Sequence, residues 1–203
     1  MIRRKTIMKK KNKIISIITT VLLSASLAAC GNTVHAETEA SDSTAQSDVL
    51  VAYFSATGTT KGVAEKIASV TGGDLYEILA ADPYSDEDLN YNDSSSRTTI
   101  EQNDKSVRPE VGSEELSLEG YTTLYLGFPI WWGEEPRILD TFVEKYSFEG
   151  ITVIPFCTSA SSGIGRSGSN MESLAGSGTW LEGERFSGNV SEEELQAWIG
   201  GLG

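Results

Sequence analysis

From Asp48 onward, short and uniformly apolar runs alternate with longer stretches in which apolar residues recur at helical spacing. Val49-Leu50-Val51-Ala52-Tyr53-Phe54 has no polar break, which predicts a strand covered on both faces. A polar loop, Ser55-Ala56-Thr57-Gly58-Thr59-Thr60, follows it. Val63, Ala64, Ile67, Ala68 and Val70 then mark one side of a helix closed by Gly72-Gly73. Leu75-Tyr76-Glu77-Ile78-Leu79 predicts the second strand, so the opening is a βαβ unit. Residues 82–120 are acidic and rich in Ser and Asn, with Pro83, Pro109 and scattered apolar positions. Short helices near 86–91 or 98–103 fit this stretch, and so does a long irregular loop of the kind that often covers a site. The third strand is predicted over 123–128, a helix over about 137–146 and the fourth strand over 151–156. A helix near 170–175 and a fifth strand within 179–186 follow. The last helix starts at the cap Ser191, with Glu194 in the capping-box position. Five strands alternating with helices predict one α/β domain over 48–203, built on a doubly wound parallel sheet.

The first 29 residues differ in kind. Seven basic residues from Arg3 to Lys13 precede an apolar run, Ile14 to Leu27, that ends in Leu27-Ala28-Ala29-Cys30. A basic start, a short apolar core and small residues before a cut site are the parts of a signal peptide. Leu-Ala-Ala-Cys resembles the lipobox of bacterial lipoproteins, which implies that Cys30 is lipidated and becomes the mature N-terminus. The alternative is an uncleaved membrane anchor, although the run falls short of the roughly 20 residues that span a bilayer. Residues 30–47 are small, polar and acidic, as expected of the lipidated Cys and a flexible tether. This places the domain outside the cytoplasmic membrane and anchored to it.

Removing the signal sharpens the charge. Of 16 basic residues nine remain against 29 acidic ones, a net charge of about −20. Nucleic acid is thereby excluded as a partner, and proteins with basic docking surfaces are favoured. The sole histidine, His35, falls in the tether, which removes the usual general base and argues against hydrolase triads. With Cys30 lipidated, Cys157 is left single at the end of an apolar run and is expected to be a buried, inert thiol.

The loop after the first strand carries the sharpest chemistry. Ser55, Thr57, Thr59 and Thr60 surround Gly58 at a helix start, where hydroxyls and open N–H groups make an anion site. The loop has no lysine and no G-x-x-x-x-G-K-[ST], so it suits a phosphate monoester better than a triphosphate with magnesium. Ser55-x-Thr57-Gly58-Thr59-Thr60 resembles the FMN phosphate loop of flavodoxins, and the resemblance extends over roughly 48–202. Gly127-Phe128-Pro129-Ile130-Trp131-Trp132-Gly133 resembles the second flavin loop, and Phe156 to Gly163 the third. The resemblance implies a flavodoxin-like five-stranded sheet of order 2-1-3-4-5, with FMN at the switch point between strands one and three. The cofactor-binding residues it implies are Ser55, Ala56, Thr57, Gly58, Thr59 and Thr60 in the first loop. Pro129, Ile130, Trp131, Trp132 and Gly133 follow in the second, and Thr158, Ser159, Ala160, Ser161 and Gly163 in the third. At least one of Trp131 and Trp132 is expected to lie against the ring. Gly133 is expected at positive φ, in the loop whose backbone turns toward the flavin in that family.

Other motifs carry less. Gly163-x-Gly165-x-x-Gly168 matches a dinucleotide fingerprint but sits too near the C-terminus to open a Rossmann half, so its glycines are read as loop flexibility. Glu134-Glu135 and Asp86-Glu87-Asp88 come without histidine at ligand spacing and are read as solvated acidic surface, leaving no metal site. No catalytic side chain is assigned. The function expected is electron transfer by an FMN flavoprotein outside the membrane. The alternatives are an NAD(P)H-dependent FMN or quinone oxidoreductase and a flavin-binding lipoprotein without turnover.

Overall fold

The computed structural model describes residues 47–202. The expected signal peptide, Cys30, His35 and the expected tether up to residue 46 lie outside the described residues. The strands are β1 (Val49–Phe54), β2 (Asp74–Ile78), β3 (Thr123–Pro129), β4 (Thr152–Thr158), β5 (Thr179–Trp180) and β6 (Glu184–Phe186). The helices are α1 (Thr59–Thr71), α2 (Arg97–Asn103), α3 (Arg137–Lys145), α4 (Ser167–Ala175) and α5 (Glu192–Gly200). All strand pairs are parallel and the order is β2-β1-β3-β4-β5, with Val51 of β1 lying between Leu75 and Tyr125.

The uniform apolarity of β1 follows from burial on both faces. Leu50, Ala52 and Phe54 join one core with Ile138, Leu139 and Phe142 of α3 and Met171 of α4. Val51 and Tyr53 join the other with Val63, Ala64 and Ile67 of α1 and Leu195 of α5. Each fully buried side chain of this size contributes about 1.5–3 kcal/mol, which favours one well-defined register. Helix α5 begins as expected, with Ser191 and Glu194 making a reciprocal capping box.

The fifth strand is broken. Its halves β5 and β6 pair with opposite ends of the same side of β4. The Val153 carbonyl accepts from Leu181 on that side, whereas Thr152 N–H donates toward β3. Strand alternation therefore turns the Pro155 nitrogen, which carries no hydrogen, toward the gap. Gly183 fills it: a Cβ there would stand 2.5 Å from the Pro155 carbonyl oxygen.

Residues 82–120 form an ordered cover over the β1–β2 side of one core, to which Tyr84, Val111, Leu116 and Leu118 contribute. The helix lies at Arg97–Asn103, while 86–89 makes turns. Ser96 caps α2 through Thr99 N–H. Arg97 pairs with Glu101 at 2.7 Å and lies 4.0 Å over the Tyr84 ring, fixing the helix to the cover.

Candidate functional site

The carboxyl ends of β1, β3 and β4 bring the three loops together where the chain order reverses, the usual ligand position in open α/β sheets. Gly58 precedes α1 without any side-chain cap, so the N–H groups of the first turn face outward at the positive end of the dipole. The Thr57 and Thr59 hydroxyls stand 3.5 Å apart and exposed beside them. A cavity of about 390 Å³ opens here, lined by Thr57, Thr59, Pro129, Thr158, Ser159 and Ala160. Ser187 and Gly188, just after β6, complete it and were not visible from the sequence. Thr60 turns inward, and its hydroxyl shares a 2.8 Å hydrogen bond with Thr158 that ties the first loop to β4. Lys61 is engaged elsewhere, 3.2 Å from Glu77.

A second cavity, of about 420 Å³, shares Thr57 with the first and is walled by Ile130, Trp131 and Trp132. Leu89, Tyr91 and Thr98 from the 82–120 cover form its other side. Trp131 and Glu134 exchange N–H to carbonyl bonds of 2.9 and 3.1 Å. Between them Trp132 has φ 51° and Gly133 φ 84°, the paired positive values of a tight primed turn. A Cβ at Gly133 would meet nothing within 4 Å, so the backbone angle alone calls for glycine. The tryptophans divide. Trp131 packs edge-on against Phe54 and Tyr84 at 5.5 and 5.2 Å, whereas Trp132 is 44% exposed.

The expectation of solvated acidic surface fails for Glu134-Glu135. Glu135 is 1% exposed and Glu134 half-buried, because Arg137, itself 2% exposed, gathers both together with Asp140. Arg137 lies 2.6 Å from Glu134, 3.6 Å from Glu135 and 3.2 Å from Asp140. Hydrogen bonds from Lys105 and Arg137 hold the Glu134 carboxyl below its usual value. Burial raises Glu135 and Asp140, with Arg137 drawing Asp140 back in part. Gln102 of α2 donates from Nε2 to the carbonyls of Trp131 at 2.9 Å and Glu135 at 3.1 Å. Gln102 Oε1, Arg137 Nε and Asp140 Oδ1 are buried without hydrogen-bond partners, each at a cost of about 1–3 kcal/mol. Asp86-Glu87-Asp88 does remain at the surface.

The third loop is braced by Arg185 of β6, which donates to the carbonyls of Ser159 and Ala160 at 2.7 and 2.6 Å. The Ser159 hydroxyl donates to the Ser162 carbonyl. Ser55 and Ala56 face a separate cavity of about 200 Å³ toward Ile78 and Tyr84. Gly58, Thr60, Gly133, Ser161 and Gly163 line neither of the two joined cavities. Gly165 and Gly168 border a pocket of about 250 Å³ beside α4, away from the first βαβ unit. Cys157 is buried, and burial pushes its thiol up to about 12, as an inert role requires. Among the described residues no group of three or more His, Cys, Asp or Glu is placed to hold a metal ion.

This sheet order, with a hydroxyl-rich helix start and an aromatic loop at its switch point, defines a flavodoxin-like α/β protein. The chain belongs to the flavodoxin family, whose sequence profile matches residues 48–202. It is 42% identical to a candidate flavoprotein from Bacteroides eggerthii, with a TM-score of 0.71 over 76% of this chain and 96% of that one. A candidate flavoprotein from Bacteroides uniformis is 41% identical, with a TM-score of 0.72 over 76% and 99% of the two chains. A flavoprotein from Lactobacillus acidophilus, solved in complex with FMN, shares the fold at 23% identity, with a TM-score of 0.56 over 76% and 99%. No curated protein matches the chain.

Proposed function

We propose that the protein binds FMN and transfers electrons through it, on the outer side of the cytoplasmic membrane and held there by lipid on Cys30. The observation that carries the cofactor is the pair of cavities meeting at Thr57. One offers hydroxyls and a helix start to a terminal phosphate, and the other offers aromatic walls to a flat ring. FMN in the Lactobacillus protein of the same fold supports the same choice. Bound FMN supplies one- and two-electron redox chemistry. The chain would hold its phosphate at Thr57, Thr59 and the first turn of α1, and its ring beside Trp132 and Ile130. Leu89 and Tyr91 would shield that ring from water. The net charge favours basic protein partners, and the lipobox-like Leu-Ala-Ala-Cys supports the anchor.

The test is purification of the full-length protein, its visible spectrum, and mass spectrometry of the released cofactor. FMN is the expected result. Riboflavin alone, or no flavin after reconstitution with excess FMN, overturns the reading. Steady oxidation of NAD(P)H by the purified protein would select the reductase instead of the carrier.

A further inference from the structure

We infer that Gln102 is a positioning residue for the aromatic loop, clamping the backbone of Trp131–Glu135 in the shape that presents Trp132 to the cavity. The consequence for flavin rests on the FMN reading; the clamp itself does not.

Gln102 stands on α2, the helix from which Thr98 lines the same cavity. Its one amide nitrogen serves two carbonyls, Trp131 at the start of the tight turn and Glu135 at the entry to α3. Both neighbours are acceptors, so the nitrogen end must face them. The opposite end, Oε1, is buried with no partner. A leucine or methionine would fill the same space with no orphaned acceptor, so packing does not account for a glutamine here. Two donors in one planar group do.

The loop needs such a hold. Trp132 is the only non-glycine residue at positive φ among the described residues, and a strained conformation persists only where the surroundings over-determine it. Lys105 and Arg137 grip the Glu134 side chain, which fixes one end of the turn. At the Trp131 end the ring packs on Phe54 and Tyr84, while Gln102 is the side chain that donates to the backbone carbonyl and joins it to Glu135. Arg97, Ser96 and Tyr84 hold α2 in turn, so the clamp is anchored in the 82–120 cover rather than in the loop.

The experiment compares full-length wild type with Gln102→Leu, first without flavin. Hydrogen exchange at the Trp131 and Glu134 amides should accelerate at least tenfold, with the β1 and β3 amides unchanged as proof of folding. FMN and riboflavin affinities, from quenching of flavin fluorescence, should then fall by the same factor, at least fivefold, because the loop faces the ring and not the phosphate. Gln102→Glu should come closer to wild-type affinity as the pH is lowered and its carboxyl protonates, so that it can donate once, than at pH 8, where its charge repels both carbonyls. Gln102→Met carries the same test should the leucine variant not fold. Unchanged exchange overturns the clamp, and faster exchange with both affinities intact overturns its role in binding. A wild type that binds no flavin sinks the cofactor reading, while the exchange result still decides the clamp.

Discussion

Trp132 holds a backbone angle that costs an ordinary L-residue about 1–2 kcal/mol. Asparagine tolerates that region better, so Trp132→Asn should raise stability by up to about 1 kcal/mol in urea unfolding while weakening flavin binding. A variant that gains no stability would place the strain elsewhere. Gly133→Val should lose about 1–3 kcal/mol, from its angle alone. In the first loop, Thr57→Ala and Thr59→Ala should each weaken FMN tenfold or more and riboflavin little. A hydrogen bond to a charged phosphate is worth about 1.5–3 kcal/mol. Equal losses for both flavins would show that the hydroxyls do not meet phosphate. These residues could be singled out because their signals are local: hydroxyls around a glycine, and a glycine after two aromatics. Glu135 was misread because its partners include a distant one: Asn170, 35 positions away, donates to it at 3.2 Å beside the nearer Arg137. Gln102 gave no signal, since a glutamine in a polar stretch looks like any solvated residue until its helix is placed.

Among the elements, β1, β3 and β4 were readable from their continuous apolar runs, because a central parallel strand is buried on both sides. The fifth strand was located and its interruption missed, since the cause, Pro155, sits in a different strand. Residues 82–120 left two helix positions open, and tertiary anchors chose between them: Arg97 on Tyr84 and Glu101 stabilises one helix of seven residues. Between α2, α3 and α4 the acid cluster predicts a pH dependence. Desolvation raises the Glu135 carboxyl, with the Asp140 charge adding to it, so the folded protein keeps a proton that the unfolded chain releases. Stability contributed by this group therefore falls as pH climbs from the unfolded value, about 4.3, through the raised folded value, and then levels off. Glu135→Gln removes that loss, and Arg137 keeps Glu134 and Asp140 as partners. The stability difference between variant and wild type, from urea unfolding between pH 4 and 8, should be small at the acid end and grow to a plateau. A difference that shrinks with rising pH would mean that Arg137 holds Glu135 ionised.

At the scale of the whole molecule, charge governs encounter. The proposed removal of the signal would leave a net charge of about −20, so reduced protein should pass electrons to a cationic acceptor faster than to an anionic one of similar potential. That preference should fade as salt is added, as stopped-flow mixing would show; equal rates at low salt would discount steering. Fatty-acid labelling should mark the wild type and vanish in Cys30→Ala, and label persisting in the variant would contradict the anchor. No helix among the described residues is long and apolar enough to cross a membrane. The break opposite Pro155 bears on a different property, resistance to aggregation. A long, flat sheet edge is a template on which another chain can add a strand. Here one rim is cut into pieces of two and three residues, with Glu184 and Arg185 at the second. At the other rim, Gly112 and Ser113 take up the Leu79 backbone groups. The β5–β6 rim therefore offers no continuous ladder for another chain to extend.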